Sequence, residues 1–389
     1  MNDFFVSIAG QNEEERTFNS FVIAQRSNLV EFYCDFPITP FFYKIDSKNA
    51  RILFTSKVNF LNSNFFGNDL YNAEVFHFRN NNTFDVKNLN EGDVFIGNPF
   101  FTYLFDLNTQ HLQRNLKKEF ANLQTYESLE EAKKILKSTL IKIFSELKSK
   151  IKECVILFSG GLDSSLIALM LKEINPKLIT LGVKGFKSDD IQKAKEVADF
   201  LNLKLEILEV ELKDIENAIP EIIPIIGSFG TVKVEVGLVS YLIYKLKNIR
   251  NTIVLSGLGS EELFAGYERH LVNPELECWS GTFNMIHRDV YRDYSIAKYF
   301  NNNIVIPLFD KELIKVALGI KNYKIYENEK KYILRIVAEE LGLGKFAFRK
   351  KKAAQYGSSI SKALKKISKR NGFERKEEYL HKIATSCNS

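Results

Sequence analysis

Cys154-Val155-Ile156-Leu157-Phe158-Ser159-Gly160-Gly161-Leu162-Asp163-Ser164-Ser165 joins a short apolar run, a glycine-serine turn and the start of a helical pattern. The run Cys154–Phe158 has the length and β-branching of a buried strand. Two adjacent glycines let a backbone approach an anion closely and turn its N–H groups inward. A helix opening near Asp163 adds its positive end and unbonded N–H groups. Ser159, Ser164 and Ser165 add hydroxyls. Asp163 would repel bare phosphate, so its place is understandable if Mg²⁺ bridges it to phosphate oxygens. A serine-capped tight turn is the plainer alternative. The complete heptad between a strand and a helix favours the phosphate site.

Outward from this turn, strand and helix patterns alternate. Ser128 followed by Glu131 reads as a capping box, and Leu129, Ala132, Ile135, Leu136, Ile143, Phe144, Leu147 and Ile151 recur at helical spacing. After the turn, Ser164–Glu173 reads as helix, Leu178–Val183 as strand, Asp189–Leu201 as helix and Leu205–Val210 as strand. Two helical stretches then precede the strand Thr252–Leu255, and most of the chain from Ser260 reads as helix. This alternation predicts an α/β domain with a parallel sheet over 125–389. Residues 1–115 are β-rich instead. Leu29–Tyr33, Arg51–Thr55, Val75–Phe78 and Asp93–Ile96 read as strands, and Asn80-Asn81-Asn82 as a loop. The boundary is expected within 115–127.

The 389 residues suit two domains, and 32 Phe with 16 Tyr exclude wholesale disorder. No apolar run approaches the ~18 residues of a spanning helix, and Met1–Val6 lacks a basic leader. Cys34, Cys154, Cys278 and Cys387 form no CxxC pair, so a reducing, cytoplasmic setting is expected. The net charge of +6 is local: residues 345–389 hold 13 Lys+Arg against 3 Asp+Glu. A solvated face, steering of a polyphosphate and contact with RNA are three readings of this tail. Nucleic acid is the least favoured, because no recognition module accompanies the charge.

Three further stretches carry chemistry: Leu255-Ser256-Gly257-Leu258-Gly259-Ser260-Glu261-Glu262-Leu263-Phe264-Ala265-Gly266-Tyr267, Pro307-Leu308-Phe309-Asp310 and Lys331-Tyr332-Ile333-Leu334-Arg335. In order and spacing they resemble, with SGGLDSS, the PP-loop ATP pyrophosphatases of the asparagine synthetase family. Tyr267-Glu268-Arg269-His270 and Arg349–Ser358 look most like the eukaryotic asparagine synthetase domain-containing proteins. The resemblance implies a synthetase domain of the adenine nucleotide alpha-hydrolase type. Ser159, Gly160, Gly161, Ser164 and Ser165 would hold the pyrophosphate of ATP. Phe158, Val183, Ser256 and Gly257 would lie around the nucleotide. Asp163 and Glu261 would bind Mg²⁺. Lys331 would stabilise charge as a carboxylate attacks the α-phosphate, with Glu261 and Tyr267 as further catalytic candidates. The implied reaction forms an acyl-adenylate and pyrophosphate; ammonia or another amine then displaces AMP.

Departures from the family pattern qualify this. Glu261 stands where the family has Asp, and Leu258 where it has Glu. The stretch that contacts the substrate carboxylate, typically with an Arg, is here Thr231-Val232-Lys233-Val234-Glu235. Aspartate is therefore not assured as the substrate. Family members open Met-Cys and use that cysteine to hydrolyse glutamine; here Asn2 follows Met1, and an amide is no thiolate nucleophile. Asp35–Pro37, Phe41–Tyr43 and Leu53–Lys57 resemble the later half of the family's Ntn-glutaminase domain. Residues 1–115 thus read as a truncated, degenerate glutaminase-like domain, a β-rich packing domain of other origin being the alternative. His270, His77, His111, His287 and His381 lack metal-ligand spacing, and Trp279 reads as core. The expected function is an ATP-dependent amide-forming ligase without glutaminase activity, acting on a small carboxylate or amino acid. The rivals are a nucleotide-binding pseudoenzyme, with a protein partner, and a PP-loop enzyme that modifies tRNA.

Overall fold

The computed structural model describes residues 5–9, 14–18, 21–26, 29–34, 42–46, 51–55, 83–85, 94–96, 100–106, 111–349 and 354–386. They divide into two compact units, 1–124 and 125–389.

The first unit holds β1 (Phe5–Ala9), β2 (Glu14–Phe18), β3 (Phe21–Arg26), β4 (Leu29–Cys34), β5 (Phe42–Asp46), β6 (Arg51–Thr55), β7 (Thr83–Asp85), β8 (Val94–Ile96), β9 (Phe101–Asp106), β10 (His111–Leu116) and a single turn α1 (Lys118–Ala121). These strands form two antiparallel sheets, β1-β6-β5-β8 and β2-β3-β4-β9-β10-β7. Phe32 of β4 faces Tyr103 of β9 in register, and the rings stack with centroids 4.9 Å apart. Val30, Phe32, Phe101 and Tyr103 are buried. The expected strands at Leu29, Arg51 and Asp93 are present as β4, β6 and β8. The expected strand Val75–Phe78 and loop Asn80–Asn82 lie outside the described residues.

The second unit opens with α2 (Leu129–Lys150), whose first turn is capped by Ser128 Oγ accepting from the Glu131 N–H at 3.1 Å. Next come β11 (Val155–Leu157), α3 (Leu162–Met170), β12 (Lys177–Val183), α4 (Asp189–Leu201), β13 (Leu205–Val210), α5 (Leu212–Ile226), α6 (Thr231–Leu246) and β14 (Ile253–Leu255). The chain continues as α7 (Ser260–Leu263), α8 (Pro274–Met285), a wide π-type turn over Ile286–Val290, α9 (Tyr291–Tyr299), β15 (Asn303–Val305) and α10 (Lys311–Gly319). The hairpin β16 (Ile325–Tyr326) and β17 (Glu329–Lys330), then α11 (Tyr332–Ala338), α12 (Ala354–Gly357), α13 (Ile360–Arg370) and α14 (Lys376–Ser386) complete it.

The sheet is parallel throughout, in the order β13-β12-β11-β14-β15. Its centre is apolar on both faces, with Ile156, Leu178, Ile179, Val254 and Leu255 all buried, as helices on either side require. From β11 the chain proceeds through β12 to β13 on one side; β14 and β15 lie on the other. The switch point therefore falls between β11 and β14, whose carboxyl ends carry SGGLDSS and Ser256–Leu263. That crevice is where open α/β sheets bind ligands. Beyond Ser260 the described chain is mostly helical, as expected, with the short strand β15 and the β16–β17 hairpin as additions. Three residues after Asn301-Asn302 carry too little periodicity to be read as a strand.

No single helix among the described residues is long and apolar enough to cross a membrane. The apolar pair α5 and α6 is bent by 108° and packs within the second unit, with Ile219, Ile222, Leu238 and Leu242 buried. α13 is amphipathic. Ile360, Leu364 and Ile367 are buried, while Lys362, Lys365, Lys366 and Lys369 face solvent. Lys350, Lys351 and Lys352 lie outside the described residues.

Candidate active site

The turn after β11 is tied together by its own serines. Ser159 Oγ and Ser164 Oγ are 3.2 Å apart, the Ser159 N–H donates to Ser164 Oγ at 3.3 Å, and Ser164 Oγ donates to the Gly161 carbonyl at 3.3 Å. Gly160 is left-handed at φ +65°, and a Cβ there would lie 2.4 Å from the backbone carbonyl carbon of Lys193 on α4. Only glycine lets the loop pass so close to that helix. The helix that follows, α3, has no side-chain cap. Its first N–H groups are therefore open to an anion. The buried Ser165 Oγ has no hydrogen-bond partner among the described residues.

Lys331 links the two sheet-end motifs. Its ammonium donates to Asp163 Oδ1 and Oδ2 at 3.0 and 2.9 Å and to Ser260 Oγ at 2.9 Å, and it pairs with Glu261 Oε1 at 2.8 Å. Lys331 is buried and left-handed at φ +58°. Burial pushes its pKa down, but Asp163 and Glu261 outweigh that and hold it above the ordinary lysine value. Arg335, one turn on, fixes the approach: its Nε donates to the Lys330 carbonyl at 2.8 Å and its Nη1 to the Ala347 carbonyl at 2.6 Å. Gly266 makes room, since a Cβ there would lie 1.7 Å from Glu261 Oε2 and 2.6 Å from Lys331 Cε. Pro307–Phe309 is a buried turn against the second motif, where a Cβ at Gly259 (φ +98°) would meet the Leu308 carbonyl oxygen at 2.6 Å.

A cavity of about 510 Å³ opens at this switch point. Phe158, Ser159, Asp163, Ser164, Ser256, Gly257, Glu261 and Tyr267 line it, as does Leu258. Lys331 does not line it, but its ammonium contacts Asp163 and Glu261, which do. Gly160, Gly161, Ser165 and Val183 do not line it; the first three shape the turn, and Val183 ends β12. Tyr267 lies under the Arg269 guanidinium, 4.3 Å from the ring centroid, and burial and nearby carboxylates raise its phenol pKa. His270 is buried and accepts from the Tyr267 N–H at 3.0 Å; burial lowers its pKa to about 4, so it is a neutral core histidine. Trp279, expected in the core, is only half-buried, its ring edge-on to Phe283.

Beyond Lys233 in the Thr231–Glu235 stretch and Glu262 in the second motif, sequence reasoning did not assign one wall of the cavity. Lys233 of α6, Arg288 and Asp289 of the π-type turn and Arg292 and Asp293 of α9 all line it, with Glu262. Asp289 accepts from Arg292 at 2.8 Å and from Arg288 at 2.6 Å; Arg292 Nε donates to Asp293 at 2.7 Å. Glu262 is paired with Arg269 at 2.7 Å and with Arg288. Burial lowers the Lys233 pKa to about 7, Asp289 opposing and Arg292 and Arg288 adding to the shift. Gln355, Ala354 and Ser358 also reach the cavity, from the Arg349–Ser358 stretch noted for its resemblance. The one available signal was the charge density of Arg288-Asp289 and Arg292-Asp293, which in a sequence reads as a solvated helix face.

A parallel sheet with SGGLDSS at its switch point defines the PP-loop synthetase class. Within that class, residues 148–303 match the family model described as asparagine synthase. A Methanocaldococcus jannaschii protein assigned as a glutamine-hydrolysing asparagine synthetase is 28% identical over 316 residues, covering 70% of this chain and 58% of its own length. Asparagine synthetase 3 of Arabidopsis thaliana is 32% identical over 183 residues, 42% of this chain and 31% of its own. Through its second unit this chain is similar to the asparagine synthetase family. It spans little more than half the length of the archaeal relative and about a third of the plant one. Among solved structures, the ammonia-dependent NAD synthetase of Campylobacter jejuni covers 67% of this chain and 95% of its own, at 16% identity and a TM-score of 0.32, too slight a likeness to build on.

Proposed function

We propose that this protein is an ATP-dependent, AMP-forming ligase that converts a small carboxylic acid to an amide, with ammonia or a simple amine as nitrogen donor. The observation that carries the reading is the Lys331 ammonium held 2.8–3.0 Å from Asp163 and Glu261, one carboxylate from each motif at the switch point. A family resemblance alone could survive in a decayed site. A buried lysine in a left-handed conformation, fixed between both motifs, is costly to keep without use.

The turn Ser159–Ser165 suits the pyrophosphate portion of ATP: its helix start is uncapped, and Ser165 Oγ is a buried hydroxyl without a partner among the described residues. Asp163 and Glu261 are two hard oxygen donors on opposite motifs, which fits Mg²⁺; that ion takes one or two protein carboxylates and completes its shell with phosphate oxygens and water. No cluster of three or more His, Cys, Asp or Glu side chains forms a closed cation cage among the described residues. When bound there, Mg²⁺ would neutralise charge on the leaving pyrophosphate.

The remaining chemistry belongs to the chain. An oxygen of the acid attacks the α-phosphorus of ATP, and the bond to pyrophosphate breaks. The Lys331 ammonium offsets the charge that builds on the α-phosphoryl oxygens, and does so more in the transition state than in bound ATP. The amine then attacks the acyl carbon, AMP leaves with the bonding electrons of the acyl–oxygen bond, and the amine loses a proton. Leu258 and the apolar flank of the cavity exclude water that would hydrolyse the adenylate. Glutamine is not the proposed donor. The described cysteine side chains, Cys154 and Cys278, are buried, and burial raises both thiols, that of Cys154 to about 11. Such thiols are poor thiolate nucleophiles. Two buried unpaired cysteines also suit a reducing cytoplasm.

The test is product analysis with ATP, Mg²⁺, ammonium and a panel of carboxylic and amino acids. Amide, AMP and pyrophosphate in equal amounts are expected, and glutamine should not replace ammonium. ADP and phosphate as products would overturn the reading. ATP binding with no turnover on any acid would favour a pseudoenzyme.

A further inference from the structure

Helix α13 carries charge of one sign. Lys362, Lys365, Lys366, Lys369 and Arg370 all face solvent, and no acidic residue stands among them. Lysines at i, i+3 and i+4 repel one another, and Lys362 lies in the first turn, where the helix dipole disfavours a cation. Lys369 is answered by Glu374 at 3.2 Å and Arg370 by Glu216. Lys362, Lys365 and Lys366 pair with no carboxylate among the described residues.

The fold extends this stripe with residues distant in sequence. Ser359 Oγ donates to the Lys187 carbonyl at 2.9 Å, and Ser188 Oγ to the Gly357 carbonyl at 3.0 Å. The turn after β12 is thereby fixed beside the start of α13. Lys187 of that turn is a fourth exposed lysine without an ion pair among the described residues. The Lys366 ammonium lies over the half-buried Phe186 ring, 5.7 Å from its centroid. Tyr356, in the adjoining α12, is 54% exposed. The lysine run itself contains no aromatic residue; packing brings one from the turn and one from α12 beside it.

Unmatched cations of this number suit a polyanion. A membrane is a poor partner, because Ile360, Leu364 and Ile367, the apolar face of α13, are buried in the fold and have nothing to insert. An acidic peptide would answer the lysines and leave the rings unused. Unpaired nucleotides answer both, with phosphates on lysines and bases on aromatic faces. RNA loops and ends are the ordinary source of such splayed bases. We propose that α13, with Lys187, Phe186 and Tyr356, is a docking surface for single-stranded RNA. Its recognition runs through phosphate and ring, so it tolerates sequence. The surface stands or falls independently of the ligase reading, although it adjoins the cavity through Ala354, Gln355 and Ser358.

The experiment is fluorescence anisotropy of a labelled oligoadenylate of about 12 nucleotides, within the site size of such surfaces, titrated with the full chain without ATP. A Kd of roughly 10⁻⁶–10⁻⁴ M is expected at physiological salt. The plot of log K against log salt should have a slope near −3, about 0.7 for each of four lysines on a phosphate. The double variant Lys362→Gln, Lys366→Gln alters two exposed residues and should bring the slope to about −1.4, with ATP affinity unchanged. Tyr356→Ala should weaken binding roughly fivefold or more at an unchanged slope, the signature of lost stacking rather than lost charge. Should Tyr356→Ala fail to fold, Phe186→Leu carries the same readout. No binding even at low salt, an unchanged slope in the double variant, or unchanged affinity in the aromatic variant would overturn the proposal. So would duplex RNA or polyglutamate bound as tightly as the strand, or a DNA strand of the same sequence bound more tightly.

Discussion

Lys331 occupies a backbone region that costs a non-glycine residue about 1–3 kcal/mol, and it is buried there with its charge. The carboxylates of Asp163 and Glu261 offset that cost, so the lysine's role is one of position. Lys331→Ala should lower turnover by roughly 10²–10³-fold, the scale for one preorganised charge-stabilising group. ATP affinity, measured by calorimetry, should change little, because its ground-state contacts come from the 159–165 turn. A variant with wild-type turnover would remove Lys331 from the mechanism. Lys233 gives a pH signature. Its pKa is about 7 when folded against an ordinary lysine value when unfolded, so between these values the unfolded chain binds more protons and stability rises with pH. Below about pH 7 both states are protonated and the slope vanishes. Denaturation of wild type beside Lys233→Met should show their stability difference changing in favour of wild type from about pH 7 to 10, and flat from 5 to 6.5. A difference independent of pH across that range would contradict the burial argument.

Secondary-structure elements carried most of what was legible. Asp189–Leu201 and Leu205–Val210 appear with the bounds read from the sequence, the first because a 13-residue amphipathic helix repeats its signal several times, the second because its aliphatic run is bounded by polar residues. β15 has three residues and no repeat. The four motifs were legible because glycine, serine and carboxylate crowd into a few positions whose geometry other residues cannot adopt. The arginine wall was not. Arg288, Arg292 and Lys233 come together only through the packing of α6 on α9 across a π-type turn, and nothing local in sequence marks that convergence. The turn after β11 makes a prediction at this scale. Gly160→Ala should destabilise the protein by about 1–3 kcal/mol, because φ +65° and the 2.4 Å approach to the Lys193 carbonyl carbon leave no room for a methyl group. Chemical denaturation with an unchanged midpoint would contradict that packing.

For the molecule as a whole, the second unit places two motifs at the ends of β11 and β14 and brings Lys331, from the start of α11, between them; its cavity opens where the strand order reverses. Against the family pattern, the SGGLDSS turn is retained, while Leu258 and Glu261 depart from it. This division separates the two halves of the proposed reaction. Asp163→Ala should weaken Mg-ATP binding, read by calorimetry, since it removes one of two hard oxygen donors from the site; an unchanged affinity in a folded variant would displace the nucleotide from the 159–165 turn. The central claim is carboxylate adenylation at the crevice between β11 and β14, and the half-reaction tests it without any nitrogen donor. Radiolabelled pyrophosphate is incubated with protein, ATP, Mg²⁺ and each acid in turn, and label entering ATP is counted. Exchange that depends on the acid and falls by roughly 10²–10³-fold in Lys331→Ala is the predicted result. Exchange with no acid, or full exchange by Lys331→Ala, would contradict it.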